Sequence, residues 1–145
     1  MLAKLFNFLQ FEQQLLQEMI RLAERQKVAL VKFNIKELEE ITSFQEELAK
    51  SLRQAEEQRI AYLMSWLNIS RTEALKLKLS TIEKQFPNED TKELRKLKRN
   101  LAKLVNILQD LNLTNRVLAN RAKSNVSNIL AVLSNGNNYV CNVQI

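Results

Sequence analysis

The stretch TKELRKLKRNLAKLVNILQDLNLTNRVLANRAKSNVSNILAVL, residues 91–133, decides the fold. Alternating steps of three and four residues separate its seam positions, which are apolar except for two asparagines: Leu94, Leu97, Leu101, Leu104, Leu108, Leu111, Asn115, Leu118, Ala122, Asn125, Ile129 and Val132. This spacing is typical of one face of an α-helix that packs in coiled-coil fashion. At 1.5 Å per residue such a helix would be roughly 65 Å long. The stretch therefore predicts one very long helix with an apolar seam.

The rest of the chain repeats this pattern. Residues 2–32 and 35–67 predict two further long helices, each with a few polar interruptions of its seam, and residues 71–85 predict a shorter one. We expect an all-α protein, an elongated antiparallel helical bundle or long helical hairpin with coiled-coil packing. Residues 1–136 are expected to form a single domain, followed by a flexible C-terminal tail over 137–145.

Each predicted helix has a recognisable start or end. Asn34, Ser70 and Asp90 each precede a glutamate by three residues, which is typical of a capped helix start. Pro87 separates the short helix from the long one, because the residue before a proline disfavours helical geometry. Gly136 lies just past the predicted end of the long helix, where a C-terminal glycine cap is common.

Composition argues against catalysis. The 145 residues include one Gly, one Pro, one Cys and no His. One glycine cannot supply the usual phosphate-binding loops, and without histidine the commonest general base and metal ligand is missing. Cys141 is interpreted as a spare thiol, and the paired glutamates, such as Glu46 and Glu47, as a solvated face. We expect no enzyme activity, no cofactor, no metal site and no small-molecule substrate.

The net charge of +6 is unevenly distributed. Residues 34–67 carry four basic and seven acidic side chains, whereas residues 91–123 carry nine basic and two acidic ones. The two segments could attract each other along a shared seam, or the basic one could bind nucleic acid or a membrane surface. We favour the shared seam, since the aromatic residues do not interleave with the basic run. No stretch approaches the length of a membrane span or resembles a signal peptide, so we expect a cytoplasmic protein.

Two features of the last helix suggest contact with a partner. Asn115 and Asn125 occupy seam positions, where a buried asparagine can fix helix register or oligomeric state, or can contact a partner. Residues 126–133 contain no charge and are apolar around most of the helix circumference. Such a segment is covered by the core, by a second copy of the chain, or by the amphipathic helix of another protein.

Several segments resemble the FlgN family of flagellar type III export chaperones. The resemblance rests on LAERQKVALVKFNIKELEEIT at residues 22–42, on LRQAEEQR at 52–59 and on LNLTNRVL at 111–118. In the family pattern the first of these stretches contains a Gly-Asp pair where this chain has Phe33 and Asn34. The chain is also basic, whereas many relatives are acidic.

The resemblance implies a cytoplasmic chaperone with no membrane span. It would bind C-terminal helical regions of the hook–filament junction proteins, FlgK and FlgL, and deliver them to the export apparatus. The client surface would lie on the last helix, at Leu118, Val126, Ile129, Leu130 and Leu133. Tyr139, in the tail, would contact the gate protein FlhA.

Two alternatives from other classes stay open. One is a structural or adaptor coiled coil that forms a homodimer through its last helix. The other, ranked third, is a basic helical nucleic-acid binder that uses residues 92–103.

Overall fold

The structure, a computed structural model, describes residues 2–86 and 91–136. These residues form five helices: α1 Leu2–Val31, α2 Ile35–Leu67, α3 Arg71–Lys76, α4 Leu79–Gln85 and α5 Lys92–Gly136. The prediction of an elongated all-α bundle is confirmed. The expectations for four residues fall outside the described part of the chain: Pro87, Asp90, Tyr139 and Cys141.

Helix α1 is the middle helix, since both α2 and α5 pack along it. Helix α2 runs antiparallel to α1, because Arg59 near its end pairs with Glu12 near the start of α1. Helix α5 runs parallel to α1, because its first turns meet the start of α1 and its Asn115 meets Ala23 further along. The three long helices therefore follow an up-down-up path.

The polar interruptions of the α1 and α2 seams pair with one another. Arg59 Nε donates to Glu12 Oε1 at 2.7 Å, and Gln45 Nε2 donates to Gln26 Oε1 at 3.1 Å. Glu12 and Gln26 lie two heptads apart, as do Gln45 and Arg59, so both pairs belong to one antiparallel register. A shift of α2 along α1 would place each polar group against an apolar neighbour.

Side-chain caps define the starts of α2 and α3, as the sequence predicts. Asn34 Oδ1 accepts a hydrogen bond from the Glu37 backbone N–H at 3.2 Å. Ser70 and Glu73 form a complete capping box, in which each side chain bonds the backbone N–H of the other residue. These caps satisfy backbone donors that have no partner inside the helix.

The main hydrophobic core lies where α1 and α5 begin and α2 ends, and this region is called the closed end below. It draws on all five helices, and its buried members are Leu2, Leu5, Leu9, Ile60, Leu63, Ala74, Ile82, Leu94 and Leu97. Beside it the rings of Phe8, Tyr62, Trp66 and Phe86 form a row, with neighbouring centroids 5.0–5.6 Å apart. A smaller buried cluster of Leu22, Ala29 and Ile41 joins α1 to α2 toward the other end.

The predicted helix over 71–85 is wrong in one respect, because the structure divides it into α3 and α4. In an unbroken helix Ala74, Lys78 and Ile82 would share one stripe, and the lysine would face the core. Extended backbone at Leu77 and Lys78 instead leaves the lysine exposed, while Leu77 and Leu79 pack against the core. Leu75, one helical turn before Leu79 in the sequence, is exposed.

The predicted glycine cap is also wrong. Helix α5 continues to Gly136, instead of ending at Leu133, and Gly136 has no positive φ. Glycine adopts helical as well as left-handed backbone, so its presence alone does not end a helix.

The expected attraction between acidic and basic segments along a shared seam is not realised. Helices α2 and α5 both pack on α1, but they do not pack along each other. The ion pairs formed between helices in the described part of the chain join α1 to α2, α2 to α3 and α4 to α5. The basic first third of α5 is therefore largely open to solvent.

Candidate protein-binding surface

Helix α5 is longer than the helix that covers it. The Asn115–Ala23 contact places Val31, the last residue of α1, level with Lys123. Residues 124–136, called the overhang below, therefore extend about 20 Å beyond α1. None of these residues is charged.

The overhang carries an uncovered continuation of the α5 seam. The seam position Ile129 and its neighbours Val126, Leu130 and Leu133 lie on the side of α5 that packs on α1 up to Ala122. Leu130 is half-buried, and the other three are exposed. Val126 is 39% exposed and Ile129 is 59% exposed. The described part of the chain therefore does not bury residues 126–133 in a core. Apolar surface grouped in this way marks an interaction site more often than scattered apolar residues do.

A notch of about 460 Å³ lies where the overhang leaves the bundle, between α5 and the turn that joins α1 to α2. Its lining is mostly apolar and consists of Leu30, Val31, Phe33, Leu118, Arg121, Ala122, Asn125, Val126 and Ile129. The notch brings together four of the residues predicted from sequence: Leu118, Asn125, Val126 and Ile129. Leu130 and Leu133 lie on the overhang but do not line the notch.

The sequence prediction missed the other wall of the notch, which is built by the α1–α2 turn. Val31 is 68% exposed and Phe33 is 52% exposed, so two large apolar side chains face solvent at a tight turn. One feature of the sequence could have indicated this wall. Phe33 is an aromatic residue at the predicted end of a helix, where the family pattern has glycine.

Phe33 has an unusual backbone. Its φ is +52°, in the left-handed region that favours glycine, and Asn34 N–H bonds Ala29 O at 2.9 Å across it, as in a glycine-terminated helix. A side chain with a Cβ in this conformation costs about 1 kcal/mol. Asn68, at the end of α2, is the other residue with positive φ in the described part, and asparagine tolerates that region better.

Arg121 gives the notch its only charge. It forms no ion pair with the residues that the structure describes, and no acidic side chain lines the notch. The notch thus offers an apolar floor with one free cation at its edge.

Asn115 lies away from the notch, inside the bundle, and is only 4% exposed. Its Nδ2 donates to Ala23 O at 2.8 Å and to Gln26 Oε1 at 3.1 Å, which links α5 to the Gln26–Gln45 pair. Its Oδ1 is buried without a hydrogen-bond partner. Asn125, by contrast, is exposed and lines the notch, so the two asparagines have different surroundings.

Two other kinds of site are absent from residues 2–86 and 91–136. Their helices contain no stretch long and apolar enough to cross a membrane. Their acidic and sulfur side chains form no group of three or more that could hold a metal ion.

These features describe an elongated all-α protein whose longest helix projects an uncovered apolar seam beyond the bundle. A family model described as "FlgN protein" matches residues 1–140, and the chain belongs to that family. FlgN proteins are flagellar export chaperones, and membership implies that this chain binds flagellar proteins. No curated protein and no solved structure was found to match the sequence.

Proposed function

We propose that the protein is a cytoplasmic chaperone for the C-terminal helical regions of FlgK- or FlgL-like hook–filament junction proteins. It keeps these clients unassembled and delivers them to the export apparatus. The observation that carries the proposal is the uncovered seam of the overhang, because this seam is already shaped to pack against a helix. The client helix takes the place that α1 occupies along the rest of α5.

The physical basis is helix-in-groove packing. The client helices are expected to be amphipathic and to assemble through their apolar faces, which would then have to be covered before export. A chaperone covers them by packing its own apolar stripe against them, with anchors at one-turn intervals. Val126, Ile129, Leu130 and Leu133 provide this spacing, and Leu118 adds an anchor about two turns before Val126.

Delivery requires a second contact. We assign it to Tyr139, which would bind a FlhA-like gate protein, and this residue lies outside the described part of the chain. A contact beyond the overhang could be made while a client occupies the seam, because it uses a different segment.

The test compares two substitutions on the same helix. Ile129 and Leu113 are 59% and 58% exposed, but only Ile129 continues the seam. Ile129→Ser should weaken binding of the purified FlgK-like protein of the same bacterium about tenfold, which corresponds to roughly 1.4 kcal/mol. Leu113→Ser should leave the affinity unchanged. Equal affinities for both variants and the wild type, measured by calorimetry, would contradict the assigned surface.

The alternative that the overhang pairs with a second copy is examined in the same samples. Sedimentation at micromolar concentration should show a monomer that forms a stoichiometric complex when the junction protein is added. A tight dimer that is lost in Ile129→Ser and that does not bind junction proteins would favour the adaptor coiled coil.

Binding to DNA that falls steeply with salt would instead favour a nucleic-acid binder that uses the basic face of residues 92–103.

A further inference from the structure

We propose that Phe33 is a client-contact residue, and that the helix received in the notch carries a carboxylate placed to pair with Arg121. This inference rests on the proposed function, and it extends the client surface from α5 to the α1–α2 turn. The client would therefore be recognised by two separate parts of the chain, the overhang and the turn.

The first argument is the conformation of Phe33. The turn needs a residue with positive φ, a position at which glycine is the least strained choice. Phe33 is an aromatic residue in a strained backbone, and about half of it is exposed. Glycine at this position would avoid the strain, and little packing would be lost. Strain that the fold does not require is a reason to look for a function in binding.

The second argument is position. A helix lying on the overhang in line with α1 has its near end at the α1–α2 turn, where Leu30, Val31 and Phe33 line the notch. The ring of Phe33 therefore lies where it can cover the end of the client's apolar stripe. Aromatic side chains in such half-closed apolar pockets often contribute a large share of binding energy.

The third argument is charge. Arg121 lines an otherwise uncharged notch and has no ion-pair partner among the described residues. A carboxylate on the client would supply that partner and fix the direction of the client helix. A second copy of the overhang could not supply it, because residues 124–136 include no Asp or Glu. The charge therefore argues against a second overhang as the occupant, because that helix would bring no carboxylate to Arg121.

The experiment uses Phe33→Gly in the full chain, with Asn68→Gly as a matched control. Both substitutions place glycine at a positive-φ helix end, but Asn68 lies at the closed end, far from the notch. Phe33→Gly should bind the FlgK-like protein about tenfold more weakly, while its Tm stays equal to or above that of the wild type. Asn68→Gly should show the same absence of a Tm loss with unchanged affinity.

The outcomes separate this inference from the proposed function. Weaker binding by Ile129→Ser but not by Phe33→Gly would overturn the role of Phe33 and leave the chaperone assignment standing. Unchanged binding by both would contradict the assigned client surface itself. A clear fall in Tm for Phe33→Gly, with Phe33→Asn restoring both Tm and affinity, would show that Phe33 acts only through the fold.

The carboxylate is tested by Arg121→Gln. This variant should bind several-fold more weakly at low salt, and the difference from the wild type should shrink as salt screens the pair. An affinity equal to that of the wild type at low salt would overturn the proposed charge pairing.

Discussion

The two ends of the molecule differ in how far the seam of α5 is buried. At the closed end all five helices contribute to one core, and the seam of α5 is buried at Leu94 and Leu97. At the open end the chain turns from α1 into α2, and α5 is the only described helix that continues, with the seam exposed at Ile129. The seam pattern barely changes between the two ends, so the difference arises from which helices are present to cover it.

This contrast separates the source of stability from the surface for binding. Most of the buried apolar side chains of the described chain lie at the closed end, and their burial is the main favourable term in folding. Most side chains of the overhang are exposed among the described residues, so its apolar residues can be changed to suit a partner with little effect on the described core. Elements that rearrange or bind are commonly drawn from such weakly held regions.

The largest expected effect distinguishes the two ends directly. Leu5 is fully buried at the closed end. The substitution Leu5→Ala should lower the free energy of unfolding by about 2–5 kcal/mol, because apolar burial is lost and a cavity is left. Ile129→Ala, on the overhang, should change the free energy of unfolding by less than about 0.5 kcal/mol. Urea denaturation of the two variants provides the measurement. Comparable losses would show that the overhang is covered within the free protein.

Sequence reasoning captured the parts of this fold that local chemistry controls. The caps at Asn34 and Ser70 use residues three apart, and the sequence showed a few polar interruptions in each seam. That Gln26 pairs with Gln45 was seen only in the structure. The overhang was visible only indirectly, as a long uncharged end. Its exposure depends on where α1 ends relative to α5, which is a relation between segments about 90 residues apart.

The missed features have the same origin. The turn at Phe33 belongs to the site because α5 runs parallel to α1 and passes that turn. No local sequence pattern indicates this relation between the two helices. The break at Leu77 and Lys78 arises because the core must exclude a lysine while keeping the leucines on either side of it. In both places tertiary contacts determine the structure. At Leu77 and Lys78 they override a helix pattern that is locally consistent.

A smaller effect is expected midway between the ends, at Asn115. Its unpaired buried Oδ1 costs stability, and leucine would continue the seam. Asn115→Leu should therefore raise the free energy of unfolding by about 1 kcal/mol, as replacing a buried register-setting asparagine does in coiled coils. We propose that the same change loosens register, which would appear as additional species in size-exclusion chromatography or as broadened amide resonances. A loss of stability above about 1 kcal/mol would instead make the bonds to Ala23 and Gln26 a net stabilising network.

The smallest effect concerns the surface of the closed end, where Arg71 of α3 pairs with Glu57 of α2 at 2.6 Å. The hydrogen bond from Arg71 lowers the pKa of the Glu57 carboxyl below its usual value, although both groups are exposed to solvent. A lowered folded-state pKa adds stability above the unfolded pKa and loses it as pH falls through the folded pKa. Glu57→Gln should therefore have a slightly lower Tm than the wild type at neutral pH and low salt, and the difference should vanish in acid or in high salt. The matched control is Glu56→Gln, which removes the neighbouring charge but leaves the pair intact. A Tm loss in Glu57→Gln that persists in acid or in high salt would show that α3 is held to α2 by more than the apolar core and a screened surface pair.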